Sequence, residues 1–189
     1  MAHKFDPAKM ERLTSDERRL TLDPDRIISM LPLRPYQDVA DIGCGPGFFS
    51  LPFAKYLYDG SLYAVDTSQE MLDACQKRLE PFKFSKVHYI KSQEYDIPLE
   101  DASLDGVFLA FVLHEVDDRV GFLVKLAEKL KPSGWFVLLE WKKTETETGP
   151  PLKVRLDTDE ARSILAEAGL RGLTPHDMNS DHYMIVGRK

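Results

Sequence analysis

Cysteine is nearly absent: 189 residues contain two, Cys44 and Cys75, and they stand apart in the chain. A disulfide framework is therefore not expected, and residues 1–6 lack the apolar core of a signal peptide. The expectation is a reduced, cytoplasmic protein. Positive charge is scarce too, with 25 Lys and Arg against 31 Asp and Glu and a formal net charge of -6. A nucleic-acid surface needs clustered cations, so no nucleic-acid partner is expected. The longest uninterrupted apolar run, residues 107–113, falls far short of the roughly 20 residues that cross a bilayer. No membrane span is expected, no internal repeat is visible, and the length suits one domain better than two.

Hydrophobic residues make up 43% and charged residues 30%, a balance that supports a packed core. Asp23 as a cap and Pro24 at the first helical position introduce a helix over 25–31, which Pro32 and Pro35 stop. Then strands and helices alternate: strand 37–42, helix 48–58, strand 62–66, and helix 69–80 capped by Thr67 or Ser68. Strand 87–90 and a nearly all-apolar strand 106–113 follow; the latter pattern predicts burial on both faces. Apolar residues at 120, 123, 124, 126, 127 and 130 predict a helix over 117–130. Lys131-Pro132-Ser133-Gly134 stops it before strand 135–139. Residues 144–151 read as a loop. Asp157 or Thr158 caps a helix over 160–168 that Gly169 ends, and strands 170–176 and 182–187 form a closing hairpin. Such alternation builds βαβ units and an α/β fold. The expected division is an N-terminal helical cover over 1–35 and one domain over 36–189.

Chemistry concentrates where the first strand meets a glycine turn, Val39-Ala40-Asp41-Ile42-Gly43-Cys44-Gly45-Pro46-Gly47. Glycine reaches positive φ cheaply and lets a ligand approach the backbone; a helix starting near Phe48 would aim free N–H groups into the same space. Asp66 ends the next strand, nineteen residues after Gly47, where a carboxylate accepts hydrogen bonds from both ribose hydroxyls. A dinucleotide fingerprint, G-x-G-x-x-G, would require a third glycine at 48. Phe48 stands there, and the pattern is G-x-G-x-G with an acid before it.

This segment resembles motif I of the class I S-adenosylmethionine-dependent methyltransferases, in the branch that holds small-molecule and quinone C-methyltransferases. The resemblance covers about residues 36–189 and implies a single-domain Rossmann-like sheet of seven mostly parallel strands, a terminal antiparallel hairpin, and helices on both faces. It implies S-adenosyl-L-methionine as cofactor, with Asp41, Gly43, Cys44, Gly45 and Gly47 around its methionine part and Asp66 on the ribose. Thr67 and Met71 would flank the adenine, and Gln93 or Glu94 would meet its amino group; relatives often carry aspartate where this chain has Gln93. Ala110 and His114, at the end of the fourth strand, would reach the methyl-donor site. His114 and Glu140 are the candidates for a general base.

The implied partner is a small-molecule methyl acceptor, since little chain is left over for binding a macromolecule. Arg18, Arg19 and Arg155 are candidates to meet an anionic acceptor, with solvated surface positions as the ordinary expectation. His176 and His182 flank the hairpin and are expected at the surface, with no metal site. Two cysteines are too few for arsenic methylation. Two other classes share these features: a nicotinamide-dependent oxidoreductase, which Phe48 argues against, and a non-catalytic S-adenosylmethionine-binding protein.

Overall fold

In the computed structural model, which describes residues 12–84 and 86–189, seven strands build one sheet. They are β1 (Asp38–Ile42), β2 (Ser61–Asp66), β3 (Val87–Lys91), β4 (Leu104–Ala110), β5 (Leu130–Trp141), β6 (Arg171–Asp177) and β7 (His182–Arg188). Their order across the sheet is β3-β2-β1-β4-β5-β7-β6. The first five run parallel, and β7 lies antiparallel between β5 and β6. The chain steps outward from β1 through β2 to β3, then returns to the other side of β1 as β4. That reversal opens a crevice at the carboxyl ends of β1 and β4, where open α/β sheets bind ligands.

Among the described residues six α-helices flank the sheet: α1 (Asp16–Thr21), α2 (Pro24–Ser29), α3 (Ser50–Tyr56), α4 (Gln69–Leu79), α5 (Arg119–Lys129) and α6 (Thr158–Glu167). Residues of α2, α3 and α4 join one apolar core, with Ile27, Phe53 and Leu72 against Val39, Phe108 and Val137. Residues of α5 and α6 join the other, with Leu123 and Leu165 against Ala40, Val107 and Leu138. Because β1 and β4 feed both cores, their side chains are apolar on both faces. Among the described residues no helix is long and apolar enough to cross a membrane.

Caps follow local chemistry. The Asp23 carboxylate accepts from the Asp25 and Arg26 N–H groups, Ser68 caps α4, and Asp157 with Glu160 forms a reciprocal capping box on α6. The α/β sheet, its parallel order and the terminal hairpin agree with the sequence expectation. Residues 1–11 of the expected N-terminal cover, and with them residues 1–6 read for a leader, lie outside the described residues.

Several boundaries differ. Helix α3 begins at Ser50, not Phe48, because residues 43–49 are spent in a turn; no side chain caps it. Strand β4 ends at Ala110, three residues early, because Phe111 adopts φ 60°. Helix α1 had no sequence signal strong enough to be predicted. Strand β5 takes in Lys131 to Gly134, but as an irregularity: its register on β4 jumps between Leu104↔Leu130 and Gly106↔Trp135.

Candidate active site

All three glycines of the turn after β1 have positive φ: 69° at Gly43, 52° at Gly45 and 83° at Gly47. Two are also held by packing. A Cβ on Gly43 would lie 2.3 Å from Val112 Cγ2, and one on Gly47 would lie 2.9 Å from Cys75 Sγ. Gly45 differs: among the described residues the only atom within 4 Å of its missing Cβ is Leu13 Cδ1, at 3.8 Å, an ordinary van der Waals contact that would not crowd it. The Cys44 side chain is buried beside Cys75, and that contact, with burial, pushes its thiol pKa up.

Asp66 closes this turn from β2. Its Oδ2 accepts from the Gly45 N–H at 2.9 Å and its Oδ1 from the Ser68 N–H at 2.8 Å. Burial raises its pKa, opposed by those two hydrogen bonds and by the charge of Lys91. Beneath the turn, Asp41 is buried and accepts from Ser50 Oγ at 2.6 Å. Burial pushes Asp41 up to about 7, against the Ser50 hydrogen bond and with the Asp66 charge adding to the rise.

Beyond Asp66, Thr67 is exposed and its carbonyl accepts from Lys91 Nζ; Met71 is buried in the first turn of α4. The segment after β3 is tied to β2 by the Ser92 N–H on Asp66 O at 3.0 Å. Gln93 is exposed, with its N–H on Asp96 O at 2.9 Å, and Glu94 is half-buried.

At the end of β4, Ala110 is followed by Phe111, whose N–H still reaches Leu139 O at 2.9 Å. A bulky residue at positive φ costs about 1 to 3 kcal/mol and persists only where its surroundings hold it. A 3₁₀ turn, Leu113–Glu115, then carries His114 into a buried contact with Glu140, the next-to-last residue of β5. His114 Nδ1 stands 2.9 and 3.0 Å from the two Glu140 oxygens, and the His114 backbone N–H donates to Oε1 at 3.3 Å. Glu140 is 2% exposed and also accepts from the Trp141 N–H at 3.1 Å. A carboxylate only accepts, so Nδ1 carries hydrogen, and Nε2, at the other end of the ring, stands 3.9 Å from Glu115 Oε1. Burial works against charge on His114, yet the charge and hydrogen bond of Glu140 outweigh it and raise the pKa.

A second group lies alongside. The Arg18 guanidinium sits 4.7 Å from the centre of the Phe48 ring and 5.3 Å from that of Phe111. Phe111 in turn meets His182 at 5.3 Å and Trp141 at 5.9 Å between ring centres, and Trp141 meets His182 at 4.2 Å. His182 is 1% exposed, not a surface residue as the hairpin position suggested. Register explains it: His182 pairs with Trp141 on the inner strand β7, whereas His176 lies on the edge strand β6. Arg155 is buried as well. Its guanidinium donates to the carbonyls of Lys142, Thr144, Thr148 and Pro150 and so orders the 144–151 loop instead of meeting solvent. Arg18 is half-buried, and burial lowers its pKa to about 10. Arg19 pairs with Asp25 at the surface.

The structure thus gathers Asp41, the glycine turn and Asp66 at one end of the crevice and Ala110, His114 and Glu140 at the other. Sequence reasoning named His114 and Glu140 separately and missed that they pair. It also missed Ser50 and Asn179; the spacing Asn179-x-x-His182, typical of a side chain that turns back on its own backbone, was the available signal for the latter. Among the described residues no cluster of three or more His, Cys, Asp or Glu could hold a metal ion.

A sheet of this order, with a glycine turn after β1 and an acid ending β2, defines a class of nucleoside-binding α/β proteins. Comparison narrows the class: a model of the methyltransferase domain matches residues 40–138, and the chain belongs to that family. An uncharacterized methyltransferase of Schizosaccharomyces pombe, C1B3.06c, is 34% identical over 103 residues, covering 51% of this chain and 37% of that protein. The ubiquinone/menaquinone biosynthesis C-methyltransferase UbiE of Vibrio campbellii is 30% identical over 112 residues, 58% of this chain and 43% of that one. These matches span less than half the length of the curated relatives. A crystal structure of a SAM-dependent methyltransferase from Aquifex aeolicus superposes with a TM-score of 0.92 at 29% identity, over 98% of this chain and 99% of that chain.

Proposed function

We propose that the protein is an S-adenosylmethionine-dependent methyltransferase of a small-molecule acceptor, with residues 36–189 as the catalytic domain and 1–35 as its cover. The observation that carries this reading is the closure of Asp66 on the Gly45 N–H, beside a Cβ position that, among the described residues, is uncrowded at Gly45 and tightly packed at Gly43 and Gly47. This is a cradle where a bare backbone and a carboxylate are presented together, as a nucleoside requires. The UbiE resemblance and the Aquifex structure support the same cofactor.

In this reading Asp41, Gly43, Cys44, Gly45 and Gly47 surround the methionine part of the cofactor, Asp66 holds the ribose, and Thr67, Met71, Gln93 and Glu94 line the adenine. When bound, S-adenosylmethionine supplies an activated methyl group on a leaving group that departs neutral. The protein's own work is placement, and near-attack alignment is worth up to roughly 7 to 11 kcal/mol in ideal cases. Ala110 brings backbone to the transfer site. Glu140, too buried to touch an acceptor, positions His114 by holding Nδ1–H, and His114 takes the acceptor's proton at Nε2 where the acceptor must lose one. Its raised pKa makes the imidazole a stronger base than an ordinary histidine. The charge balance and cysteine usage support a cytoplasmic location and a small molecule over a nucleic acid as partner.

Calorimetric titration with S-adenosylhomocysteine and with reduced nicotinamide cofactor tests the cofactor; binding of the second alone would replace methyl transfer with hydride transfer. Incubation with labelled donor and a metabolite extract then tests turnover. A protein that binds S-adenosylhomocysteine but labels nothing is a non-catalytic binder.

A further inference from the structure

Strands β1, β2 and β3 are neighbours in the sheet, so the turns that lead into them lie side by side at the amino ends of the strands, opposite the crevice. The turns are joined. Asp59 and Gly60 donate their N–H groups to Pro35 O at 3.1 and 2.8 Å, and Lys86 Nζ donates to Asp59 O at 2.6 Å. Lys55 Nζ stands 5.1 Å from the centre of the Phe82 ring, which stacks on Phe84 at 5.7 Å between ring centres.

Two properties set this end apart. The first is charge: residues 34–37, 55–60 and 77–86 carry six Lys and Arg against two acids, in a chain whose net charge is -6, so the remaining surface is more acidic than the chain as a whole. Lys55, Lys83 and Lys86 form no ion pair among the described residues, whereas Lys125 and Lys129 of α5 each meet a carboxylate, at 3.1 and 2.7 Å. Lys83 follows the 3₁₀ turn Glu80–Phe82 at φ 54°, a conformation a lysine adopts only at a cost. The second property is apolar exposure: Phe82, Tyr58 and Tyr36 are 49%, 71% and 69% exposed. A single exposed ring needs no explanation, but three on one basic face do.

Exposed aromatic rings among unpaired lysines match a bilayer surface, where rings settle at the headgroup level and cations meet lipid phosphates. We propose that this end of the molecule docks on an anionic bilayer, with Phe82 and Tyr58 entering the headgroup layer and Lys55, Lys83 and Lys86 on the phosphates. A nucleic acid fits less well. A single strand takes a groove with free ring faces, whereas this is a row of turns and Phe82 already holds Lys55 and Phe84 against its ring. A polyanion running past the patch would also meet the acidic remainder of the surface. Docking by the amino ends leaves the crevice facing water, so the proposal is independent of the methyl-transfer reading and requires no lipid acceptor.

The test is sedimentation of the full chain with vesicles of phosphatidylcholine alone and of an equal mixture of phosphatidylcholine and phosphatidylglycerol. The expected result is binding to the mixed vesicles only, strong at about 0.1 M salt and lost at about 1 M, where the screening length falls to about 3 Å. Each lysine replaced by glutamine at 55, 83 and 86 should weaken binding about fivefold, and all three together about a hundredfold. Phe82→Ser should weaken it about tenfold, while Lys125→Gln with Lys129→Gln should bind as the wild type does. Circular dichroism checks that each variant is folded. If the triple variant is not, Lys55→Gln with Lys83→Gln reads the same property, since neither side chain donates a hydrogen bond among the described residues. No binding to mixed vesicles, equal binding to both kinds, or equal loss in the Lys125 and Lys129 variant overturns the proposal. So does a single-stranded oligonucleotide that binds where the mixed vesicles do not, which would assign the patch to nucleic acid.

Discussion

Replacing His114 by alanine should be among the costliest single changes in the molecule. Glu140 is 2% exposed, and His114 Nδ1 is its nearest partner, at 2.9 Å. In His114→Ala the carboxylate keeps two backbone N–H donors but loses the group that balances its charge. Removing one member of a buried pair costs about 3 to 5 kcal/mol. At this chain length each kcal/mol lowers the melting temperature by about 2 to 4 °C, so a drop of about 6 to 20 °C is expected. Glu140→Gln should cost less, since its amide oxygen still accepts from Nδ1–H, and the double variant should be more stable than the two separate losses predict.

The pH dependence provides a second check. The folded pKa of His114 is raised above the ordinary 6.5, so its contribution to stability is complete below the unfolded value. It is lost as pH rises from about 6.5 through the folded pKa. Urea unfolding followed by circular dichroism between pH 5.5 and 9 would show this decline in the wild type. In Glu140→Gln the decline should shrink, because Glu115 alone is then left to oppose burial and the charge of Arg119. A loss under about 1 kcal/mol in His114→Ala, or additive effects in the double variant, would refute the claim that the pair is a coupled buried unit.

Other perturbations test the cofactor end. Asp66→Ala should weaken S-adenosylhomocysteine binding by about 1 to 3 kcal/mol in calorimetry, and unchanged affinity would mean the cradle is misplaced. Gly47→Ala should destabilise the fold by about 1 to 3 kcal/mol through overpacking against Cys75, added to the strain at φ 83°. Gly45→Ala meets no such wall, so the strain at φ 52° is its main cost to the fold and the melting temperature should fall less than in Gly47→Ala, while cofactor affinity should fall more. For Asp41, whose pKa is pushed up to about 7, the native state holds a proton that the unfolded chain releases. Its stability should therefore fall as pH rises from about 4 to 7, and Asp41→Asn should remove that fall; a pH-independent offset between the two unfolding curves would contradict it.

Most of the architecture was legible because it rests on local signals. The nearly all-apolar 107–110 stretch of β4 announces burial on both faces, and Asp23-Pro24 and Asp157-Thr158-Asp159-Glu160 announce helix starts through the side chains that cap them. The errors fall where tertiary contacts override local pattern. Apolar character continues past Ala110 to Leu113, so nothing in the sequence says that Phe111 turns to φ 60°. Its ring is held there by Trp141 and His182, from strands the chain adds thirty and seventy residues later. Phe48 and Phe49 likewise suit a helix, but the three preceding positive-φ glycines consume them in the turn.

The site divides along the same line. Its cofactor end lies within one stretch, Asp41 to Asp66, where the spacing of glycines and acids is itself the evidence. The other end is assembled from β4, β5, the hairpin and α1, and its chemistry depends on pairings that no spacing encodes. His114 and His182 look equivalent in the sequence, one before a helix and one beside a turn. They differ because β5 places Glu140 against the first and Asn179 folds back on the second, so that one ring is driven toward charge and the other kept neutral.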